Sequence, residues 1–420
     1  MRRSLLADVR PLRESPPFRR LWAGQLVSGV GTAMTLFAVA LQVYRMTSSS
    51  AAVGGIGLAG GIAGIAAGLL SGGLLDTVDR RRVVLVTCVG QMVLSGVLAA
   101  QAFAGARTLW LLYALVAGES ALAAVGTPAR KAFLPRLLPA DQLAAGSALQ
   151  MLAGRSALVA GPALAGLLTA AGGLRFCYLV DALSFVAALY GALGLPSARP
   201  ERGTGSGVGL RAIGDGLRFV GRSRVLLGVF LADISATLLA LPVALFPAID
   251  AERFGGSPEV LGLMTTAMAV GGILGSVLSG PVGRVQRQGR GVLVAVAVWG
   301  LSVAAFGLAH GLALTLLALL VADAADVSSV VLRSTVVQSA TPDSFRGRVS
   351  ATDYVVGAAV PQLGNFRAGV VATATSTTAS AVSGGLSAVA AAGVLALTFP
   401  ALVRYRATDG AQVREPSAAG

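Results

Sequence analysis

Residues 52–82 read AVGGIGLAGGIAGIAAGLLSGGLLDTVDRRR, an apolar run that stops at a cluster of charged side chains. The part before Asp76 contains no ionisable residue. At 1.5 Å per helical residue it is long enough to cross the roughly 30 Å hydrocarbon core of a bilayer. Its glycines let neighbouring helices approach closely inside a membrane. The stretch therefore predicts a membrane-spanning helix followed by a basic loop.

The whole chain shares this composition. Of its 420 residues, 55% are hydrophobic and only 12% are charged, whereas a soluble domain carries about 25% charged residues. We therefore expect an all-α, multi-pass protein of the lipid bilayer. Its twelve predicted transmembrane helices are Leu21–Tyr44, Ala52–Leu75, Val83–Phe103, Leu109–Ala129, Gly146–Ala170, Phe176–Leu195, Val225–Ile249, Val260–Val282, Val292–Ala309, Leu312–Leu332, Ala351–Ala372 and Ala381–Val403.

The basic residues alternate with these spans. With a cytoplasmic amino terminus, most of the 33 Lys and Arg residues fall on the cytoplasmic side, and only Arg45, Arg107, Arg175 and Arg253 fall outside. This asymmetry is the positive-inside pattern, and it predicts that both termini are cytoplasmic. The net charge of +14 would suggest nucleic acid as a partner of a soluble protein. Its spread over every cytoplasmic loop argues against that partner.

A Pro/Gly/Ser-rich stretch divides the chain once. The prediction is a six-helix bundle in residues 1–195, a cytoplasmic central loop in 196–224, a second bundle in 225–403 and a cytoplasmic tail in 404–420. Within the loop, residues 210–224 alternate apolar and basic side chains, which predicts a short amphipathic helix on the membrane surface.

The two predicted bundles repeat one another. Gly54, Gly64, Ser71 and Gly72 recur 208 residues later as Gly262, Gly272, Ser279 and Gly280. Duplicated, pseudo-symmetric bundles are typical of secondary transporters, whose substrate site lies between the halves near the bilayer midplane.

The loop after the second span resembles the G-x-L-x-D-R-x-x-R loop of the major facilitator superfamily, with Thr77 in place of the usual arginine. The resemblance implies a conformational switch in which an acid and a guanidinium latch the halves together. The alternative is a basic topology loop with a chance aspartate. The implied switch residues are Gly72, Leu74, Asp76, Arg80 and Arg81.

The fifth span carries Gly161, Pro162 and Gly166 and is similar to the G-P-x-x-G-G signature of the drug/proton antiporter branch, with Ala165 for one glycine. A helix kink that serves only packing is the alternative. Over most of the chain the pattern looks like bacterial siderophore exporters of the enterobactin-exporter type. Exporters of macrolides and other drugs share much of this pattern.

Ionisable residues inside spans are costly and indicate function. Glu119 and Arg155 lie about 15 Å and 13.5 Å from opposite faces, so we expect them to meet near the midplane. They form either a static ion pair or a pair in which a proton or substrate competes for Glu119. The candidates for proton coupling in the central cavity are Glu119, Arg155, Asp233, Asp323 and Asp326.

The remaining polar residues of the spans have several interpretations. Asp323 and Asp326 share a helix face, and Asp326 alternatively pairs with Arg333. Asp353 is expected to pair with Arg346 or Arg348, and Asp181 lies nearer the outer face. The candidates for lining the substrate cavity are Arg367, Gln362 and Asn365.

The only lysine, Lys131, is not in a P-loop, so transport would draw on an ion gradient. We predict proton-driven efflux of a small amphipathic compound from the bacterial cytoplasm, by a monomer without metal or cofactor. The resemblance implies a siderophore as substrate, with a multidrug or macrolide exporter as the alternative. An importer and an intramembrane enzyme are further alternatives, although the chain has one histidine and no G-x-S-x-G motif.

Overall fold

The computed structural model describes residues 8–75, 77–198, 210–278, 280 and 285–406. Within these ranges the chain is helical and contains no strand, which confirms the all-α prediction. Eleven helices of the described chain are long and apolar enough to cross a membrane, judged by length and composition.

The longer helices are labelled in chain order. They are α1 (Pro16–Thr47), α2 (Ser50–Leu75), α3 (Arg80–Phe103), α4 (Leu109–Lys131), α5 (Leu143–Gly172), α6 (Leu174–Leu193), α7 (Leu210–Arg222), α8 (Arg224–Ala240), α9 (Phe246–Arg253), α10 (Pro258–Val277), α11 (Gln288–Leu308), α12 (Leu312–Ala340), α13 (Arg346–Ala374) and α14 (Thr377–Thr398). Shorter helices lie at Arg10–Glu14, Leu134–Leu137 and Pro400–Arg404, and 3-10 turns at Ala140–Gln142, Val243–Leu245 and Asp343–Phe345.

Eleven of the twelve predicted spans coincide with these apolar segments, the seventh with α8, the following 3-10 turn and α9 taken together. The exception is Ala351–Ala372, which lies on α13, a continuous helix of 29 residues. It has the length to span a bilayer, but its charged and amide side chains lower its hydropathy. The last predicted span ends at Thr398 rather than Val403, because Pro400 disfavours helical backbone at Phe399.

The described residues form two compact units. Unit 1 contains residues 8–46, 59–75, 77–198 and Ser257–Thr266. Unit 2 contains Thr47–Leu58 and, after the central loop, most of the remaining chain. Each unit therefore takes in one short segment from beyond the division predicted by the sequence.

Glycines allow the segments Ser257–Thr266 and Thr47–Leu58 to pack closely within units 1 and 2, respectively. In unit 1, a Cβ added to Gly166 of α5 would lie 2.7 Å from the backbone oxygen of Pro258. In unit 2, a Cβ added to Gly54 of α2 would lie 2.7 Å from the backbone of Asn365. The missing side chains thus let helix backbones come into direct contact, as is typical of helices in a bilayer.

Each unit is built around one helix. In unit 1, α3 packs against α4 and α6, and the buried side chains around it include Leu21, Val84 and Phe185. In unit 2, α11 packs against α12 and α14, with Trp299 and Phe230 in the core.

The seventh predicted span, Val225–Ile249, is not one continuous helix. Helix α8 ends at Ala240, and the chain passes through Pro242 and a 3-10 turn before α9 begins at Phe246. Proline has no N–H to donate, so the helical hydrogen bonding is interrupted at this point.

Two side chains of α13 bind backbone groups on either side of this break. Arg367 Nη1 donates to the carbonyl of Leu239 at 2.5 Å, and the N–H of Ala244 donates to Asn365 Oδ1 at 3.0 Å. An unpaired backbone group in an apolar interior costs several kcal/mol. The polar residues of α13 therefore stabilise a broken helix in the core of unit 2.

The predicted amphipathic helix is present as α7, but it packs on protein. Phe219 stacks on Phe345 with ring centroids 4.6 Å apart, and Val220 is buried in the core of unit 2. Gly216 lies against the backbone of Arg348 at the start of α13. The apolar face of α7 is thus covered, at least in part, by unit 2 rather than by lipid alone.

The two cysteines are far inside unit 1. Cys88 of α3 is 2% exposed, and Cys177 of α6 is fully buried beside Thr169, whose hydroxyl lies 3.3 Å from its sulfur. Both thiols are free.

We predict that Gly364→Ala destabilises the fold whereas Gly357→Ala, on the same helix, does not. A Cβ at Gly364 would collide with the backbone carbonyl of Thr237 in α8, while no atom of the described residues lies within 4 Å of a Cβ at Gly357. Overpacking costs about 1–3 kcal/mol, and an exposed Gly→Ala change in a helix is neutral or stabilising. Thermal unfolding midpoints in lipid nanodiscs measure both; equal midpoints for the two variants would contradict the assigned α8–α13 contact.

Candidate functional site

Two buried carboxyl groups lie on opposite sides of one hydroxyl in unit 1. Ser95 Oγ is 2.8 Å from Glu119 Oε1 and 2.8 Å from Asp181 Oδ2. Thr35 Oγ1 also donates to Asp181 Oδ2, at 2.8 Å. Glu119 is 8% exposed, and the other three residues are fully buried. We call these four residues, which come from α1, α3, α4 and α6, the carboxyl cluster.

Close helix packing brings the cluster together. Gly31 of α1 faces α6 so closely that an added Cβ would lie 2.7 Å from Asp181 Oδ1. Asp181 also lies one turn from Tyr178, whose hydroxyl donates to Gln42 Oε1 of α1 at 2.6 Å. Helices α1 and α6 are therefore held together around Asp181 by the hydrogen bonds of Thr35 and Tyr178 and by the close approach that Gly31 permits.

The predicted ion pair between Glu119 and Arg155 is not formed. Among the described residues, no carboxylate oxygen lies within 4.0 Å of an Arg155 nitrogen. Position along a helix determines only the depth of each residue in the membrane. It does not fix the direction in which each side chain points around its helix, and Glu119 points to α3 and α6.

A cavity of about 370 Å³, lined by both polar and apolar residues, opens in unit 1 beside the carboxyl cluster. Gln91 is 5% exposed, and its Oε1 has no hydrogen-bond partner among the described residues. Arg130 and Lys131 lie at the end of α4 and contribute positive charge. The lining residues are Gln25, Ser28, Gly29, Thr32, Ala33, Leu36, Gln91, Ala123, Thr127, Arg130, Lys131, Gln150, Ala153, Gly154, Ala157, Leu158 and Phe185.

The carboxyl cluster forms the next layer beyond this cavity. Each of its four helices carries a residue that lines the cavity and, about one turn away, a residue of the cluster. The cluster residue is always on the side away from Arg130 and Lys131. Four helical residues span about 6 Å, so a molecule in the cavity would lie close to the acids. The four pairs are Thr32 and Thr35, Gln91 and Ser95, Ala123 and Glu119, and Phe185 and Asp181.

Unit 2 contains a different charged group. Arg333 of α12, 7% exposed, lies 3.4 Å from Asp233 Oδ2 of α8 and also pairs with Asp353 of α13. The expected pairing of Asp353 with Arg346 or Arg348 is therefore wrong; Arg346 instead pairs with Asp343 at 2.9 Å. A buried base compensates the acids here, whereas no Lys or Arg nitrogen of the described chain lies within 4.0 Å of an acid of the carboxyl cluster.

The remaining candidates from the sequence are distributed over unit 2. Asp323 and Asp326 are half-buried on α12. Arg367 and Asn365 hold the break between α8 and α9, and Gln362 lies over Gly57, where an added Cβ would be 2.6 Å from its Oε1. At least two of the three predicted cavity residues therefore make structural contacts within the unit.

In the candidate switch loop, Asp76 lies outside the described residues, and Gly72 and Leu74 lie in the last turn of α2. Arg81 Nη2 donates to the carbonyl of Leu193 at 2.9 Å, and the N–H of Arg80 donates to that of Ala198 at 3.1 Å. The loop thus joins the start of α3 to the end of α6.

Asp79, which the sequence analysis did not single out, organises this junction. It accepts hydrogen bonds from the N–H of Arg81 (2.9 Å), the N–H of Ala198 (3.0 Å) and the hydroxyl of Ser197 (2.8 Å). Burial raises the pKa of this carboxyl, but these hydrogen bonds outweigh burial and hold the pKa below its usual range.

The fifth-span motif lies where α5 meets two other helices. Pro162 is inside the continuous helix α5. Gly161 lies against the methyl group of Ala33 in α1, and a Cβ added to Gly262 of α10 would be 3.3 Å from the Cα of Gly166. The motif therefore allows close packing on both sides of the proline.

Comparison with known proteins identifies the family. Residues 7–417 match the model of a major facilitator family described as transmembrane secretion effectors. The chain belongs to this family. These proteins are transporters, not enzymes, and this family member is a multi-pass protein of the bacterial cytoplasmic membrane.

Relatives of the transporter cover more than nine-tenths of its length. It is 27% identical over 413 residues to the enterobactin exporter EntS of Shigella boydii serotype 18 and to that of Escherichia coli O81, with 97% of each chain covered. The nucleoside transporter NupG has a TM-score of 0.73 at 15% identity, covering 93% of this chain and 100% of its own. A bacterial homologue of ferroportin has a TM-score of 0.67 at 18% identity, covering 93% and 99%. These structures show the same fold.

We predict that Asp79→Ala lowers the thermal unfolding midpoint at pH 7, because it removes the cap of α3 and the bonds to Ser197 and Ala198. The loss is about 1–2 kcal/mol. Since the folded-state pKa of Asp79 is lowered, its charge stabilises the fold above the unfolded pKa of about 3.9 and ceases to do so as the pH falls through the folded value. The difference from the natural chain should therefore shrink below about pH 4.

Asp141→Ala is the matched control, since this carboxylate is 67% exposed in the 3-10 turn Ala140–Gln142 of the same unit. It should leave the midpoint almost unchanged. A destabilisation by Asp79→Ala that stays constant from pH 7 to pH 3 would contradict the role of the ionised carboxylate.

Proposed function

We propose that this transporter exports a siderophore from the cytoplasm and is driven by protons that enter in exchange. The observation that carries the proposal is the similarity to enterobactin exporters over 97% of both chains. In this proposal both termini are cytoplasmic, the monomer is functional, and residues 1–195 and 225–403 are the two pseudo-symmetric bundles.

The chemistry of the unit 1 cavity supports a siderophore with hydroxyl donors and acidic oxygens. Gln91 Oε1 is buried and has no hydrogen-bond partner in the described part of the chain, so a ligand N–H or O–H that reached it would satisfy an acceptor that is costly to leave unpaired. Arg130 and Lys131 suit anionic oxygens, while Leu36, Leu158 and Phe185 suit an aromatic ring. A catecholate combines all three features.

Protons are supported as the driving ion by the acids inside the spans. Glu119 and Asp233 are largely buried, and buried carboxyls exchange protons readily when their surroundings change. We extend this role to Asp323 and Asp326, and we assign Arg155 to the path of an anionic substrate. Asp76 and Arg80 would latch one conformation, and the Gly161–Pro162 kink would permit α5 to change its packing.

The second candidate function is efflux of a macrolide or another drug. The same cavity supports it, since about half of the lining is apolar or small. The two functions differ in the acidic groups of the substrate. A catecholate siderophore would need Arg130 and Lys131 to bind its acidic oxygens, whereas a macrolide would not.

We predict that inverted membrane vesicles containing the transporter accumulate a catecholate siderophore when their interior is acidified, and that a protonophore abolishes accumulation. Gln91→Leu should raise KM about 5-fold, because one hydrogen bond is worth about 1 kcal/mol. The measurement is uptake of labelled siderophore with and without an unlabelled macrolide.

Gln288→Leu is the control, because Gln288 is a buried glutamine of unit 2 whose Oε1 likewise meets no hydrogen-bond donor among the residues that the structure describes. It should leave KM unchanged. Uptake of the macrolide but not the siderophore would support the second function, and siderophore uptake that survives the protonophore would contradict proton coupling.

A further inference from the structure

We propose that the carboxyl cluster binds one proton, shared between Glu119 and Asp181 through the hydroxyl of Ser95. Resting on the proposed function, we further propose that this is a proton exchanged for substrate. Asp181 and Ser95 thereby join Glu119 as residues that handle the proton.

The number of hydrogen atoms requires the shared proton. Ser95 has one hydroxyl hydrogen, yet its oxygen is 2.8 Å from a carboxyl oxygen of both Glu119 and Asp181. If both acids were ionised, one of these contacts would bring two oxygens together with no hydrogen between them. One added proton makes both contacts hydrogen bonds.

The charge of the site leads to the same result. Among the described residues, no Lys or Arg nitrogen lies within 4.0 Å of either carboxyl group. The groups that face the acids are uncharged hydroxyls, those of Thr32 and Thr35 on α1, Ser95 on α3 and Ser184 on α6. The titratable Tyr178 on α6 carries no charge at neutral pH. Two adjacent negative charges in a buried site without a cation repel strongly, and binding one proton removes this repulsion.

A third observation concerns the other oxygen of Asp181. Its Oδ1 is completely buried, lies against Gly31 and has no hydrogen-bond donor among the described residues. A carboxylate oxygen without a donor is costly in such a place. The proton reduces this cost whenever it resides on Asp181.

The proton moves between the acids without a change in total charge. When Glu119 is protonated, its O–H donates to Ser95 Oγ, and Ser95 donates to Asp181 Oδ2. As the Glu119 proton passes to Ser95 Oγ, the Ser95 proton passes to Asp181, and the direction of both hydrogen bonds reverses. The donor Thr35 favours the state in which Asp181 is ionised, so a displacement of α1 shifts the proton toward Asp181.

The proton site is coupled to the cavity by position. Each helix that carries a cluster residue also lines the cavity about one turn away. A substrate that moved α1 relative to α6 would change the Thr35–Asp181 hydrogen bond. Binding of substrate and binding of the proton would therefore influence one another, as linkage requires.

We test the shared proton by infrared spectroscopy of the purified full-length chain in lipid nanodiscs. At pH 7 the natural chain should show a carboxylic-acid C=O band. Glu119→Gln and Asp181→Asn should each abolish it, because the amide then donates to Ser95 and the remaining acid ionises. Ser95→Ala should retain the band at a different frequency, since the proton remains but loses its bridging partner. Asp343→Asn, at an 86% exposed carboxylate, should change nothing.

Absence of the band in the natural chain, or its retention in either Glu119→Gln or Asp181→Asn, would overturn the shared proton. The role in exchange is tested separately in vesicles. Both variants should lose gradient-driven accumulation but retain exchange of siderophore for siderophore, and undiminished accumulation would overturn that role. If the natural chain moves no siderophore, the proposed function fails, while the infrared result on the proton stands by itself.

Discussion

The interior of unit 1 depends on one hydrogen-bonding constraint. The Ser95 hydroxyl has a single hydrogen, yet it lies between the buried carboxyl groups of Glu119 and Asp181. Water would solvate both carboxylates, but Ser95, Asp181 and Thr35 are completely buried. The local structure must therefore supply positive charge, either as a side chain or as a proton. Unit 2 contains the side chain, since Arg333 lies between Asp233 and Asp353. In our account unit 1 takes the proton, which, unlike a guanidinium, can leave.

The position of the cluster connects this electrostatic constraint with recognition. The same four helices carry the cavity residues and, about one turn away, the acids. Substrate and proton binding would therefore be coupled directly through these helices, without a further structural element. The amide of Gln91 and the hydroxyl of Ser95 are four residues apart on α3. A ligand that satisfies Gln91 would therefore act one helical turn from the proton. Rigid packing at Gly31 would transmit even a small displacement of α1 to Asp181.

The sequence predicted the helices well, because hydropathy along the chain is enough to locate a membrane-spanning segment. Eleven predicted spans coincide with apolar helices, and the departures have local causes, such as Pro242 in the seventh span and Pro400 after the last. Contacts between helices depend on rotation about each helix axis, which depth does not determine. For this reason Glu119 was recognised as important but was assigned the wrong partner.

Other residues of the site left weaker signals in the sequence. Asp181 was recognised as a polar residue of its span, but nothing in the sequence showed that it lies close to Glu119, or marked Ser95 of α3 as the neighbour of both. Arg367 and Asn365 were recognised as unusual within a span, but their binding to a broken backbone required knowledge of the break. A polar residue in a membrane-spanning segment thus indicates that it has a role, whereas only the structure shows whether that role is structural or functional.

The seclusion of Cys88 and Cys177 has a practical consequence. Maleimides and spin labels react with accessible thiolates, and both natural thiols are almost inaccessible in the folded chain. Reporter cysteines can therefore be introduced one or two at a time into the otherwise natural sequence. Distances between paramagnetic probes can then follow the transport cycle without first removing two residues that fill the interior of unit 1.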